Sequence, residues 1–581
     1  METYFIKMCG IFYYENRLTK YLDMKKLKRL QEIFYKSSHR GPDNSIFLHE
    51  KVADQFSHRC FGFHRLSING LSSIGNQPLK LKNCTLICNG EIYNYKELIN
   101  EFNLEEEYNK GGSDCEIVIH LYRKIGMKEA LKRLDGVFAL TLVDHDTNAM
   151  YVARDPFGIR SLFYGSEFGF AADITVSSEI KSMDHCLGHY ISQFPSGCYG
   201  VYELGYLTIH PYYSALHTAT RPDPILEQYV PYNYVFNTVE DSEENICENI
   251  KTLLESAVEK RLMSERGAVG CLLSGGLDST LVTAIMCKFM DPSKLNTYSI
   301  GLKGSVDLMW ARRAATYLGT RHHEVCLSEQ DFLDAIEDTV YQIESYDTTS
   351  VRASLPNFLI SKYISQHSDD VVIFCGDMSD EIFGSYRGFT KAPSDEDFKR
   401  ENERMIRDVR YFDLLRSDKT ISGAGLEARV PFADKAFLKY VMEIPPRYKR
   451  FDDERIEKYL LRKAFDGQDY LPDDLLWRRK EAFSDGVSGS SGRTWVQMIK
   501  EHVETRVSDL EYDAYVKTIS ALKNTAMNEN NLPYDKESFY YRKIFENFFP
   551  EKSDNAIPYY WRHPFCSNVD PSARLLDFYK Q

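Results

Sequence analysis

The run Ser274-Gly275-Gly276-Leu277-Asp278-Ser279 follows the hydrophobic stretch Ala268-Val269-Gly270-Cys271-Leu272-Leu273 and opens an apolar-periodic segment over residues 280–290. A strand that passes through paired glycines into a helix leaves backbone N–H groups free at the helix N-terminus, where they nest an anion such as phosphate. The loop lacks the GK[ST] ending of a Walker A loop and the spacing of a GxGxxG dinucleotide fingerprint, so it predicts a phosphate-binding loop of another kind. Around it the patterns alternate: helix over 246–263, strand over 268–273, strand over 297–302, helix over 308–317, strand over 323–327, helix over 330–343 and strand over 371–375. That alternation predicts a parallel sheet covered on both faces, an α/β domain.

The first third of the chain reads differently. Short β-rich runs, Phe61-Gly62-Phe63, Thr85-Leu86-Ile87-Cys88, 138–143 and 150–153, are interrupted by helical patterns over 23–36 and 116–124. They predict an α+β layered domain. A chain of 581 residues exceeds what one core serves, roughly 250–300 residues. The stretch 206–243, with Pro222, Pro224 and Pro231, many tyrosines and no clear period, reads as the connection between domains over 9–205 and 244–581.

Composition narrows the partners. A net charge of -14 argues against a nucleic acid. The apolar runs fall short of the roughly 18–20 residues that span a bilayer, and residues 1–12 show no apolar block with a cleavage site, so no membrane partner and a cytoplasmic location are expected. Thirteen cysteines without a CxxC pair or zinc spacing read as reduced thiols of an intracellular enzyme. Cys84 and Cys88 read as packed strand residues, and His322-His323, adjacent on a strand, point to opposite faces and make no ligand pair.

Cys9, in Met8-Cys9-Gly10-Ile11-Phe12, is the candidate nucleophile. A terminal cysteine carries its own base, since an α-amine with a pKa of about 7.7–8.0 adjoins a thiol near ~8.5. Residues 1–7 precede Met8. Cys9 is therefore expected to become the first residue, by initiation at Met8 and methionine removal or by clipping of the first eight residues. Otherwise its nitrogen stays in a peptide bond and the base is lost.

Four motifs in order, His39-Arg40-Gly41-Pro42-Asp43, Arg65-Leu66-Ser67-Ile68, Asn89-Gly90-Glu91 and Gly112-Ser113-Asp114, resemble the glutaminase domain of class II, N-terminal-nucleophile glutamine amidotransferases over residues 8–200. The resemblance implies Cys9 as nucleophile and Asn89 with the Gly90 backbone as oxyanion hole. It implies glutamine bound by Arg65, Ile68, Asn89, Glu91 and Asp114, with Arg65 on the α-carboxylate and the two acids on the α-ammonium. Asp155-Pro156-Phe157-Gly158-Ile159-Arg160 also fits and reads as a structural turn.

The SGGxDS loop resembles ATP pyrophosphatases, which cleave ATP between the α and β phosphates and adenylate a substrate. Asp347-Thr348-Thr349-Ser350-Val351-Arg352-Ala353-Ser354, Leu426-Glu427-Ala428-Arg429-Val430-Pro431-Phe432 and Trp477-Arg478-Arg479-Lys480-Glu481-Ala482-Phe483-Ser484-Asp485-Gly486 are similar to the glutamine-hydrolysing asparagine synthetases, and Asp570-Pro571-Ser572-Ala573-Arg574 to their eukaryotic-type members. The resemblance implies a Rossmann-like synthetase domain that takes ATP on Leu273, Ser274, Gly275, Gly276, Asp278, Ser279 and Gly376. It implies aspartate on Thr349, Ser350 and Arg352, Mg²⁺ on Asp278 and Asp380, and Lys480 as the cation at the reacting phosphate. Tyr386 and Glu427 read as groups supporting the site. A homodimer stays open. So do an ammonia-dependent enzyme with a silent glutaminase, a non-catalytic nucleotide- or partner-binding relative, and amide formation on another carboxylate.

One loop departs. The family reads SGEGSDE where this chain has Cys375-Gly376-Asp377-Met378-Ser379-Asp380-Glu381. The resemblance makes the position of Asp377 the base for ammonia attack. Aspartate is shorter than glutamate by one C–C bond of about 1.5 Å, and ~1 Å of misplacement can cost ~10²-fold in rate. Slow synthesis, or a loop re-formed around Asp377 and Met378, is expected.

Overall fold

The computed structural model describes residues 9–17, 22–41, 43–52, 57–186, 188–213, 216–218, 232–234, 236, 238–452, 454–479, 488, 493–522 and 531–566. Pro42, the motif residues 480–486 and the motif 570–574 lie outside the described residues. The chain divides into two compact units: Met1–Val235 with Met263–Ala268 and Ile421–Glu427, and Phe236–Leu262 with Val269–Thr420 and Ala428–Gln581.

Two six-stranded sheets build the first unit. One runs in spatial order Ser192–Gln193, Phe163–Gly165, Asp173–Ser177, Gly10–Asn16, Ser57–Arg65 and Asn44–Val52. The other runs Tyr206–Pro211, Cys198–Glu203, Ala149–Arg154, Gly136–Asp144, Cys84–Ile92 and Leu79–Leu81. Every neighbouring pair described is antiparallel; some are joined by short turns, while Cys84–Ile92 and its neighbour Gly136–Asp144 are joined through the helices Tyr95–Glu101 and Ile117–Arg133. Gly10–Asn16 is buried along its length, which places Cys9 at the mouth of a packed layer. The helix Met24–Tyr35 is started by Asp23, whose side chain accepts Lys26 N–H at 2.6 Å. Its apolar face, Leu30, Ile33 and Phe34, packs with Phe12, Tyr14 and Cys60 of the first sheet. Cys84 and Cys88 are buried strand residues, as their apolar flanks predict.

The stretch read as a connection begins with a strand. In Tyr206–Pro211, Leu207 and Ile209 are buried while Tyr206 and Thr208 are exposed, a period of two that pairs antiparallel with Cys198–Glu203. The helical pattern at 116–124 continues as Ile117–Arg133, although Gly126 at φ 76° breaks its helical backbone.

The second unit carries a five-stranded sheet in the order Arg321–Leu327, Asn296–Leu302, Val269–Leu272, Val372–Phe374 and Glu427–Arg429, and the first three pairings are parallel. The α+β and α/β classes are those the patterns predict. The helix Glu243–Arg261 is capped by Ser242 and has acidic residues in its first turn and basic ones in its last, each sign opposing the helix dipole. The single helix expected over 330–343 is two, Glu329–Asp334 and Ile336–Ile343, joined at Ala335.

Candidate active site

In the first unit the strand entrance at Cys9 is organised by charge. Arg40 donates from Nε to the Cys9 carbonyl at 2.9 Å and from Nη1 to Glu179 Oε1 at 2.5 Å, and both partners of that ion pair are fully buried. Cys9 Sγ accepts the Leu66 N–H at 3.3 Å. Burial pushes the thiol up to about 12; the Leu66 N–H and the charge of Arg65 oppose this, while Glu427 and Glu91 add to it. Such a thiol is protonated at neutral pH and is a poor nucleophile until a base is supplied.

Arg65 closes the strand Ser57–Arg65. Its Nη1 donates to Ser72 O at 2.9 Å and to Asn76 Oδ1 at 2.5 Å, and Nη2 donates to Gly70 O. Burial holds its pKa below the ordinary arginine value. Asn89, Gly90 and Glu91 lie on Cys84–Ile92, paired with Ala139, Phe138 and Val137. Asn89 Nδ2 is buried and has no hydrogen-bond partner among the described residues. An orphaned donor of that kind is destabilising unless something else engages it. Glu91 Oε2 accepts Asn69 Nδ2 at 2.5 Å, Asp114 Oδ2 accepts Ile92 N–H at 2.6 Å, and Ile68 is buried. Asp155 behaves as a turn: its carboxylate accepts N–H groups of Phe157, Gly158, Ile159 and Arg160 at 2.8–3.2 Å. Arg160 Nη2 in turn lies 3.1 Å from Glu427 Oε2.

In the second unit the glycine loop joins Val269–Leu272 to the helix Leu277–Phe289. Leu273 is buried and donates its N–H to Tyr298 O at 2.8 Å. Gly275 has φ +76°, and a Cβ there would sit 2.4 Å from Ala311 N, so the turn accepts only glycine. Ser279 Oγ accepts Ser274 N–H at 3.2 Å and lies 3.1 Å from Ser274 Oγ, which draws the loop closed over the helix start. Gly376 brings the second loop against it: a Cβ there would meet Ser279 N at 2.7 Å and Asp278 Cβ at 2.9 Å.

Asp278 and Asp380 converge on one cation, Lys458, whose Nζ is 2.6 Å from Asp278 Oδ2 and 2.8 Å from Asp380 Oδ1. Asp278 Oδ1 is buried without a partner among the described residues. Two carboxylates around a positive charge, with a spare lone pair, suit a hard divalent cation that shares its shell with phosphate oxygens. No group of three or more His, Cys, Asp or Glu side chains that could hold a metal ion occurs among the described residues. Asp377 binds Arg416 Nη2 through Oδ1 at 2.8 Å and accepts the Ser417 hydroxyl through Oδ2. Met378 is buried and takes the left-handed backbone, φ +81°, where a side chain is strained by about 1–2 kcal/mol. Burial, then Asp413 and Asp380, push the Glu381 carboxyl well above its ordinary range, and Tyr386 donates to it.

Thr349 and Ser350 stand at the start of the helix Thr348–His367, capped by Asp347, which accepts Ser350 N–H at 2.8 Å. Thr349 Oγ1 is buried without a partner among the described residues. Arg352, in the same helix, binds Glu537 from Nε and Nη2 at 2.7 and 2.6 Å in a buried two-point ion pair. Lys480 lies outside the described residues.

Arg40, Lys458 and Arg478 are functional candidates that motif reading left without a role. Arg478 donates to Gly275 O at 2.8 Å and stacks on Trp310, 4.9 Å from its centroid. Arg40 and Arg478 belong to the motifs His39-Arg40-Gly41-Pro42-Asp43 and Trp477-Arg478-Arg479-Lys480, whose residue types do not reveal the carbonyls they bind. Lys458 had no signal at all.

A family model described as asparagine synthase matches residues 249–399 and 390–568, and one described as a glutamine amidotransferase domain matches 8–213. The asparagine synthetase [glutamine-hydrolyzing] of Bos taurus is 38% identical over 559 residues, covering 94% of this chain and 95% of its own. The Gallus gallus protein of that name is 39% identical over 569 residues with the same coverage, and the Homo sapiens one 37% over 559. The chain belongs to the family of glutamine-hydrolysing asparagine synthetases.

Proposed function

We propose that this chain makes asparagine from aspartate, ATP and the amide nitrogen of glutamine, with the residues above in the following roles. Cys9 attacks the glutamine carboxamide carbon. Asn89 Nδ2 and the Gly90 N–H receive the developing oxyanion, which the buried and orphaned state of Nδ2 supports. Arg65, Ile68, Glu91 and Asp114 hold the amino-acid end. Ammonia leaves, and water cleaves the thioester to glutamate.

In the second unit the β-carboxylate of aspartate attacks the α-phosphorus of ATP, giving β-aspartyl-AMP and pyrophosphate. Leu273, Ser274, Gly275, Gly276, Ser279 and Gly376 line the nucleotide, while Thr349, Ser350 and Arg352 meet aspartate. Asp278 and Asp380 would hold Mg²⁺, which when bound neutralises phosphate charge. Lys480 takes the reacting phosphate. Asp377 accepts a proton as ammonia attacks the acyl carbon, and AMP departs. The observation that carries this half is the convergence of Asp278 and Asp380 beside a loop only glycine can form.

The test is asparagine formation with ¹⁵N-amide glutamine or ¹⁵N-ammonium, with AMP and pyrophosphate counted against asparagine. Equal yields of the three support the reading, and nucleotide binding without pyrophosphate release would overturn it. One observation favours a second reading for chains that keep residues 1–8: a Cys9 thiol pushed up to about 12 fits ammonia as the sole nitrogen source. The reading includes a cytoplasmic setting, supported by the scattered cysteines, and leaves a homodimer to be tested by sedimentation. No helix among the described residues is long and apolar enough to cross a membrane.

A further inference from the structure

Asp377 is held from two sides. Arg416 Nη2 binds Oδ1 at 2.8 Å and is itself tied to Asp413 Oδ1 at 2.9 Å, while the Ser417 hydroxyl donates to Oδ2. Each carboxylate oxygen thus has its own donor, which fixes the plane of the group as well as its position. Both donors come from adjacent residues of one helix, Asp413–Gly423, and Ser417 is almost wholly buried. The loop is equally constrained at its root, where Gly376 packs on Asp278 and Ser279 and Cys375 N–H binds Arg429 O at 3.0 Å.

We propose that Ser417 is the positioning residue for Asp377. Its hydroxyl, with Arg416, orients the short carboxylate toward the attacking ammonia and so compensates for the missing methylene. The inference rests on the reading of Asp377 as the base. A rival role exists for the same hydroxyl, since Asp413 O lies 2.9 Å from Ser417 Oγ, the ordinary bond of a helical serine to the preceding turn. A hydroxyl has one proton, and the closer, charged acceptor is Asp377.

The two roles separate in kinetics. With ammonium as nitrogen source, Ser417→Ala is expected to lower kcat for asparagine about ten- to a hundredfold, with KM for ATP and aspartate-dependent ATP–pyrophosphate exchange unchanged, because the base acts after adenylation. Ser417→Thr keeps the hydroxyl and is expected to keep the rate. Asp377→Glu placed on Ser417→Ala is expected to regain most of it, since the longer side chain reaches without the hydroxyl. An unchanged kcat in Ser417→Ala, or a loss that Asp377→Glu does not repair, would overturn the positioning role. Absence of pyrophosphate exchange in the unaltered enzyme would instead overturn the functional reading itself. Should the alanine chain fail to fold, Ser417→Cys, similar in size but a weak donor, is measured against the same two outcomes.

Discussion

Lys458 donates from Nζ to Asp278 Oδ2 at 2.6 Å across 180 residues of sequence, and the same ammonium lies 2.8 Å from Asp380. It is buried, so its charge is the local counterweight to two carboxylates on two loops. Replacing it removes the cation that bridges those carboxylates and raises the repulsion between them, which a divalent ion relieves. Lys458→Met is therefore expected to bind Mn²⁺ without nucleotide at least about tenfold more tightly than the unaltered chain, measured by electron paramagnetic resonance. ATP–pyrophosphate exchange should fall. Mn²⁺ binding that does not change would show that the ammonium does not stand where the metal would.

The nitrogen-releasing and adenylating steps should respond to different residues. Cys9→Ala is expected to abolish glutamine-dependent asparagine formation and spare the ammonium-dependent reaction. Asn89→Ala, which removes one oxyanion donor, should lower glutaminase kcat by ~10²–10³. Loss of both nitrogen sources in Cys9→Ala would contradict the division of labour.

The state of the Cys9 thiol gives a pH prediction. A pKa pushed up to about 12 means that near pH 8 only ~10⁻⁴ of the thiol is ionised, and alkylation should climb with pH until that value is approached. Removing residues 1–8 frees an α-amine beside the sulfur, and the alkylation midpoint should move down. Mass spectrometry of iodoacetamide-labelled Cys9 follows both chains. Equal midpoints would mean that the amine is not the base.

Glu179 neutralises more than Arg40. Its Oε2 lies 2.7 Å from Lys181 Nζ, and both lysine and arginine are buried with it. Glu179→Ala removes the carboxylate that two buried cations share and is expected to destabilise the first unit by about 3–5 kcal/mol, read as a lower urea midpoint. It should also slow Cys9 chemistry, because Arg40 grips the Cys9 carbonyl. A variant as stable as the parent would mean that other groups carry the charge.

Local chemistry was legible in the sequence wherever the cause is local. Gly275 and Gly276 between an apolar strand and an apolar-periodic helix mark the turn, and at Gly275 no residue with a Cβ fits. The ordered short motifs fall on defined places in the elements: Arg65 closes its strand, Asp278 stands in the first turn of its helix, and Asn89 lies inside Cys84–Ile92. The strand Tyr206–Pro211 escaped notice because its two buried side chains, Leu207 and Ile209, are diluted by tyrosines and prolines on either side.

Tertiary structure alone decided which charge meets which. Lys458 looks like any solvated lysine until folding buries it between Asp278 and Asp380. Arg352 meets its buried partner Glu537 across 185 residues of sequence. Ser417 carries no signal until its helix turns the hydroxyl onto Asp377. Electrostatic partners depend on distance and burial in space, to which sequence spacing is blind beyond a helical turn or a strand pair. The sequence by itself determined the elements and the residue types at their ends. The pairing of those residues, and with it which groups are left open for substrate, came from the packing of distant segments.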